Sequence, residues 1–264
     1  MLGTWKHSFK TRDMKRPHYG IDAPELLRFF FISGSAALVL FFVILLTSIA
    51  GSTLKIILGT LLGIVAFYLL TMGGFMIYGS KVMKLKDNEK LLSLIQWSGN
   101  EQVLDIGCGR GLMLVSAAKR LIAGKATGID IWQEKDQANN SLFAALVNAA
   151  IEGVAQRVEV QTADMRKLPF SDSSFDVVTS NWAIHNLVAE ADRQTTLNEI
   201  IRVLKPSGVV IINDIVNQAE YADYLKLQGM ENVQLHNNSI RDTILKTVTL
   251  GSFAPSAVSA LKGT

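Results

Sequence analysis

Between Glu101 and Gly111 the chain reads Glu-Gln-Val-Leu-Asp-Ile-Gly-Cys-Gly-Arg-Gly, and this stretch restricts the fold more than any other. Val103, Leu104 and Ile106 form a short apolar run suited to a buried parallel strand, with Asp105 near its end. Gly107, Gly109 and Gly111 follow at alternate positions, where side chains would obstruct a tight bend or a ligand. From Leu112 the run LMLVSAAKRLIA places apolar residues on one helical stripe and predicts a helix over 112–123. A strand, a glycine turn and a helix N-terminus make a cradle for a nucleotide-like ligand.

The glycine spacing narrows the ligand. A dinucleotide fingerprint, G-x-G-x-x-G, would place its third glycine where this chain has Leu112. The observed pattern is G-x-G-x-G with an acid two residues before the first glycine, and it resembles motif I of the class I S-adenosylmethionine-dependent methyltransferases, in the subgroup similar to ubiquinone/menaquinone-type enzymes. Asp164-Met165 with Leu168-Pro169-Phe170, and the Pro-Gly turn Leu204–Gly208, extend the resemblance over roughly residues 88–253. It implies an α/β fold, a doubly wound, seven-stranded, mostly parallel sheet, and S-adenosylmethionine as cofactor. It also assigns Asp105, Gly107, Cys108, Gly109 and Gly111 to the cofactor turn, Asp164 to the adenine amino group and Met165 to the adenine edge. Asn181 falls at a strand end that borders the methyl donor and the acceptor mouth. DNA and protein amino-methylating relatives often carry Asn/Asp-Pro-Pro-Tyr there, and Asn181-Trp182-Ala183-Ile184 departs from it.

Asp130 ends a second strand read over 126–131, nineteen residues beyond Gly111. A carboxylate at that distance is placed to accept both ribose hydroxyls, with Ile131 beside it as a further cofactor contact. The rival reading of Asp130 is a helix cap or a solvated strand end. A helix is expected over 139–152, strands over 158–164 and 175–181, a helix over 194–203, a strand over 209–214, a helix over 219–228, and short strands at 233–235 and 246–253. Asp87 is read as the N-cap of a helix whose apolar stripe reaches Trp97 and which ends at Ser98-Gly99-Asn100.

The N-terminal third is different. Residues 29–54 and 56–80 carry no charged side chain, and only Lys55 separates them. Each exceeds the ~20 residues that cross a bilayer core of ~30 Å, whereas the apolar core of a signal peptide is only ~7–15 residues. They are apolar all round, unlike a one-faced surface helix. Two antiparallel spans are expected, about 29–49 and 56–78, with Gly59 and Gly63 permitting close packing. Residues 1–90 hold eleven Lys/Arg and five Asp/Glu, whereas residues 91–264 hold fifteen and eighteen. Basic residues flank the hairpin on both sides: Lys6, Lys10, Arg12, Lys15 and Arg16 before it, and Lys81, Lys84, Lys86 and Lys90 after it. The positive-inside rule then puts both termini and the globular part in the cytoplasm. The layout expected is a basic tail (1–26), a transmembrane hairpin (27–80) and a methyltransferase domain (81–264). The globular part lacks a basic footprint, so no nucleic-acid partner is expected.

Cys108 is the single cysteine, so no intrachain disulfide forms, and the four histidines show no metal-ligand spacing. Cys108 reads as a small residue in a tight loop rather than a nucleophile. His185, just past the fourth strand, is the nominated catalytic base because imidazole titrates in the useful range; Asp214 is a second candidate. The bland reading of His185 is a locally hydrogen-bonded residue lining the pocket. The function expected is methyl transfer from S-adenosylmethionine to a small, apolar or lipid-like acceptor such as a quinone, with the bilayer bound through residues 27–80. Two rivals stand beside it. A nicotinamide-dependent oxidoreductase is disfavoured by Leu112 and by Asp164-Met165, and a non-catalytic membrane scaffold is disfavoured by the intact Asp105, Asp130 and Asp164. Oxygen, nitrogen, carbon and sulfur acceptors stay open, as does the oligomeric state.

Overall fold

The structure is a computed structural model that describes residues 16–47, 51–236, 243, 245–247, 249, 251, 253 and 255–264. Two compact units divide the chain: Gly20–Lys90 with Trp132–Ser141, and Leu91–Ile131 with Leu142–Thr264 and the residues preceding Gly20.

The first unit is a helical hairpin. Helix α1 (Pro24–Leu46) opens with proline at its first position, where a missing N–H costs nothing, so it starts before the first charge-free run does. The expected end of this span near Ile49 lies outside the described residues. Helix α2 (Ser52–Tyr78) packs along α1. Contact is tightest at Gly34, where a Cβ would come within 2.9 Å of the Leu70 side chain, and at Gly73, where it would meet the Phe31 ring at 3.1 Å. Gly59 and Gly63, the glycines expected to permit close packing, face Phe41 at ordinary contact distances of 3.9 and 3.5 Å. Most large side chains of the pair point away from protein: Ile32 is 69% exposed, Ile56 67% and Phe67 74%.

Asp87 is not a cap. The helix continues from α2 through one π turn (Gly79–Met83) into α3 (Lys84–Leu92), and the Lys84 N–H donates to Gly79 O, five residues back. Because the backbone ladder never breaks, no N-cap is needed. The helix also ends earlier than Ser98. Leu94 and Ile95 donate three residues back, and the Trp97 indole N–H takes the Leu92 carbonyl at 2.8 Å.

The second unit is the sheet. Its strands are β1 (Gln102–Ile106), β2 (Lys125–Asp130), β3 (Val158–Thr162), β4 (Phe175–Asn181), β5 (Leu204–Asp214), β6 (Glu231–His236) and β7 (Ser256–Leu261), in spatial order β3-β2-β1-β4-β5-β7-β6. The first five are parallel, and β7 runs antiparallel to both β5 and β6. The order reverses between β1 and β4, where ligands bind doubly wound sheets. Helices α4 (Leu112–Ala118), α5 (Leu142–Ile151), α6 (Glu190–Val203) and α7 (Gln218–Leu227) cover the sheet. Every residue of α4 is buried, and Leu197, Ile200, Tyr221 and Leu225 of α6 and α7 pack on Leu104, Val178 and Ile212.

The seven-stranded architecture is as expected, but several boundaries are not. Helix α4 stops at Ala118 rather than 123. The Pro-Gly turn before the fifth strand lies inside β5, where Ser207 takes φ +61° and donates its N–H to Lys262 O, while the Lys262 N–H donates to Gly208 O. The last strand is not 246–253. Leu245–Thr247 is helical, and the Leu245 carbonyl accepts both the N–H and the hydroxyl of Thr249, so local bonds hold the segment in turns. The seventh strand is instead β7, built from the small buried residues Ala257, Val258 and Ala260.

Candidate active site

The carboxyl ends of β1, β2, β4 and β5 carry the site. The glycine turn after β1 needs its glycines: Gly107, Gly109 and Gly111 have φ of +68°, +52° and +84°. At Gly107 a Cβ would also lie 2.2 Å from that of Ala183, so the turn passes directly against the segment leading to His185. Met165 closes the same corner, with its methyl 3.7 Å from that position.

Two of the expected acids and the cysteine converge around this turn. Asp105 is buried, and its Oδ1 accepts from Thr179 Oγ1 at 2.9 Å, because Asp105 and Thr179 are register partners on β1 and β4. Asp130 Oδ2 accepts the Gly109 N–H at 2.8 Å, which holds the carboxylate at the turn. Cys108 is buried between them. Burial pushes its thiol well above the ordinary range, and the charges of Asp105 and Asp130 push the same way. It therefore stays protonated and is no nucleophile. Two carboxylates beside a glycine turn free of side-chain bulk form an anionic, hydrogen-bonding cradle. This donor and acceptor set fits a ribose diol beside a cationic sulfonium and ammonium.

Asp164 follows β3, is 42% exposed, and bonds through both oxygens to Arg166. Those hydrogen bonds hold its carboxyl below the usual range. Ile131 is 49% exposed at the end of β2. Asn181 ends β4, and its Oδ1 accepts from Asn213 Nδ2 at 2.8 Å across the β4–β5 register.

His185 lies in a short 3₁₀ turn after β4. Its ring Nδ1 bonds Asp214 Oδ1, and its backbone N–H donates to Asp214 Oδ2 at 2.9 Å. Asp214 is fully buried and also accepts from the Ile215 N–H at 2.9 Å and the Tyr221 hydroxyl at 3.2 Å. Burial, and then the Asp214 charge, push the Tyr221 phenol far above its ordinary range, so it stays a donor. The two base candidates thus form one pair. Asp214 is the buried partner that orients, and His185, with 19% of its side chain exposed, is the group that faces outward.

Thr179, Tyr221 and Arg166 escaped the sequence reading. Thr179 could have been found from strand register opposite Asp105; Tyr221 reads as an ordinary core position of an amphipathic helix.

Residues 104–212 match a family profile described as a methyltransferase domain. The sterol 4-C-methyltransferase of Caenorhabditis elegans is 34% identical over 127 residues, 48% of this chain and 35% of that protein. The ubiquinone/menaquinone biosynthesis C-methyltransferase UbiE of Geotalea daltonii is 35% identical over 119 residues, 45% of this chain and 47% of that protein. The chain thus spans less than half the length of these curated relatives. The crystal structure of an S-adenosylmethionine-dependent methyltransferase from Aquifex aeolicus superposes with a TM-score of 0.52 at 22% identity, over 68% of this chain and 91% of that one. The matched segment is that of a methyltransferase domain, the fold is shared with the Aquifex aeolicus enzyme, and the motif order resembles the class I S-adenosylmethionine-dependent methyltransferases. S-adenosylmethionine is the cofactor of this class, and the cradle described above fits it.

Proposed function

We propose that the protein is a membrane-anchored methyltransferase that moves a methyl group from S-adenosylmethionine to a small apolar or lipid-like acceptor. The layout proposed is a basic tail (1–26), a hairpin (27–80) in the bilayer and a catalytic domain (81–264), with both termini cytoplasmic. The observation that carries the catalytic part is the His185–Asp214 pair beside the glycine turn. A carboxylate can only accept, so Asp214 requires the proton of His185 on Nδ1 and leaves the Nε2 lone pair to take a proton from an acceptor.

The cofactor, when bound, supplies an activated methyl group and a neutral leaving group. This chain's residues then have mainly positional work. Asp130 accepts from the ribose hydroxyls. The backbone of Gly107–Gly111, with Cys108 packed beneath it, gives close approach. Asp105, fixed by Thr179, contributes negative charge. Asp164 and Met165 meet the adenine, and Ile131 and Asn181 line the remaining cofactor contacts. His185 removes the acceptor's proton.

An apolar acceptor is supported by the exposed apolar hairpin and by the names of the relatives, which specify a sterol 4-C-methyltransferase and a methyltransferase of ubiquinone/menaquinone biosynthesis. The test uses methyl-labelled S-adenosylmethionine, the full-length chain, and membranes plus cytosol from its source, with Asp130→Ala as control. Enzyme-dependent label in the organic phase is expected. Label confined to water or protein would refute the apolar acceptor, and no transfer despite cofactor binding would refute catalysis.

A further inference from the structure

Asp214 holds His185 itself, and a second charged group holds the chain that leaves it. The 3₁₀ turn Ile184–Asn186 is closed by two short-range bonds, Asn186 N–H to Ala183 O at 3.2 Å and Leu187 N–H to Ile184 O at 3.0 Å. Bonds of this i→i+3 kind have poorer geometry than those of an α-helix, so one such turn is weak on its own. Just beyond it, Arg193 Nη1 donates to Leu187 O at 2.9 Å and to Val188 O at 2.8 Å. The other edge of the same guanidinium forks onto Glu220, with Nε to Oε1 at 2.9 Å and Nη2 to Oε2 at 2.7 Å. Leu187 packs against the core, whereas the Val188 side chain is exposed and gives the loop no anchor of its own.

Helix stability does not explain an arginine here. Arg193 is the fourth residue of α6, at the end of its first turn, where a cation opposes the positive end of the helix dipole. It is also buried, and a buried ion pair can cost more in desolvation than it returns. What the planar fork supplies is direction: four hydrogen bonds from one rigid group fix the exit of the turn relative to the carboxylate of α7. Glu220 is followed by Tyr221, whose hydroxyl donates to Asp214 at 3.2 Å. Helix α7 therefore braces both supports of His185, through Tyr221 on Asp214 and through Glu220 on Arg193.

We propose that Arg193 is a positioning residue for His185; this rests on the base assignment made above. Asp214 fixes the ring and the backbone N–H of His185, and Arg193 fixes the two carbonyls that follow the turn. Together they keep the ring in one orientation, with Nε2 toward the acceptor. Without the fork the turn loosens from Leu187, and only the molecules that still hold the ring in place transfer methyl. The four bonds of Arg193 end on Glu220, Leu187 and Val188, none of them in the glycine turn, so cofactor affinity is untouched.

The test uses the full chain in lipid nanodiscs, methyl-labelled S-adenosylmethionine and a saturating membrane extract. Arg193→Lys keeps the charge, but a single ammonium nitrogen cannot span Glu220 and both carbonyls. It is expected to speed amide exchange at Leu187 and to slow label transfer about tenfold, the loss if about a tenth of molecules keep the turn in place. S-adenosylmethionine affinity, titrated by calorimetry, is expected to stay at the wild-type value. In a His185→Ala chain the same Arg193→Lys change is expected to cost nothing further, because residues that act as a unit are not additive. A wild-type rate in folded Arg193→Lys, or an equal loss in both backgrounds, would overturn the proposal; equal losses are what a merely structural arginine gives. If Arg193→Lys does not fold, Glu220→Gln sets an amide N–H₂ against the guanidinium. That variant is expected to slow transfer about threefold with the same dependence on His185, and an unchanged rate overturns the proposal equally. His185→Ala transferring at the wild-type rate would instead refute the base assignment, and the proposal with it, in a chain whose Arg193 is intact.

Discussion

Replacing Asp214 with Asn separates base catalysis from cofactor binding. Asp214 is fully buried and accepts four hydrogen bonds: from the His185 ring, the His185 and Ile215 backbone N–H groups, and the Tyr221 hydroxyl. An amide has nearly the same shape but only one accepting oxygen. With that oxygen in the Oδ2 position, serving the His185 N–H and the Tyr221 hydroxyl, the amide N–H₂ faces the ring and the Ile215 N–H and favours the imidazole tautomer with its proton on Nε2. His185 then presents a donor where a base is required. General-base contributions are typically ~10²–10⁴-fold, so the rate of label transfer into a saturating membrane extract should drop about a hundredfold or more. Folding should lose about 1.5–3 kcal/mol, the worth of a hydrogen bond to a charged group, because the oxygen removed is replaced by a donor. S-adenosylmethionine affinity, measured by titration, should be unchanged, since no Asp214 bond reaches the glycine turn. A folded Asp214→Asn chain with the wild-type rate would show that the acceptor needs no base and that the pair is structural.

Asp130→Ala should weaken S-adenosylmethionine binding by more than about tenfold, through the lost ribose acceptor and the released Gly109 N–H, while melting stays near wild type; each factor of ten is 1.4 kcal/mol. Gly107→Ala should lower the melting temperature and abolish binding, because the new methyl would lie 2.2 Å from Ala183 in a backbone with φ +68°; a wild-type melt would contradict the close approach. Cys108 should resist alkylation in the folded chain at the pH where an exposed thiol, of pKa about 8.5, already reacts. Its folded pKa is raised, so its contribution to stability is present below the unfolded thiol's pKa and is lost as pH rises beyond it. Cys108→Ala should accordingly flatten the alkaline fall in stability seen by denaturant titration.

The sheet and the glycine turn were legible because their residues are dictated locally. A buried parallel strand needs the apolar run at 103–106, and a left-handed turn needs glycine at 107, 109 and 111. What the sequence hid depends on partners distant in the chain. Asp87 has the chemistry of a cap, yet the π turn carries the helix past it, and Ser80 in that turn bonds Asp22, 58 residues upstream. The alternation at 246–253 suggested a strand, but the Thr249 hydroxyl bonds the Leu245 carbonyl and favours turns. The true seventh strand, Ser-Ala-Val-Ser-Ala-Leu, is built of small residues with little strand signal of their own, and it is fixed by pairing with β5 and β6. His185 and Asp214 were both named as candidates, but their roles become distinct only when β4 and β5 lie side by side.

The hairpin bears on the acceptor through a simple energy comparison. Ile32, Val39, Leu46, Ile56, Ile64 and Phe67 are each more than half exposed on α1 and α2. Full burial of such a side chain is worth about 1.5–3 kcal/mol, so leaving these six in water forgoes on the order of 10 kcal/mol. That is comparable with the whole stability of a domain, about 5–15 kcal/mol. Neither helix presents a polar face, and the bilayer proposed around the hairpin would cover these side chains on every side. The continuous helix from Ser52 to Leu92 is about 60 Å long at 1.5 Å per residue, twice the ~30 Å bilayer core. Its second half, with Lys81, Lys84, Lys86 and Lys90, therefore has length to spare to reach the headgroup layer and beyond. An enzyme tethered by such a stalk meets acceptors dissolved in the bilayer at a far higher local concentration than acceptors in water. The proposed apolar acceptor and the proposed membrane hairpin thus rest on the same exposed side chains.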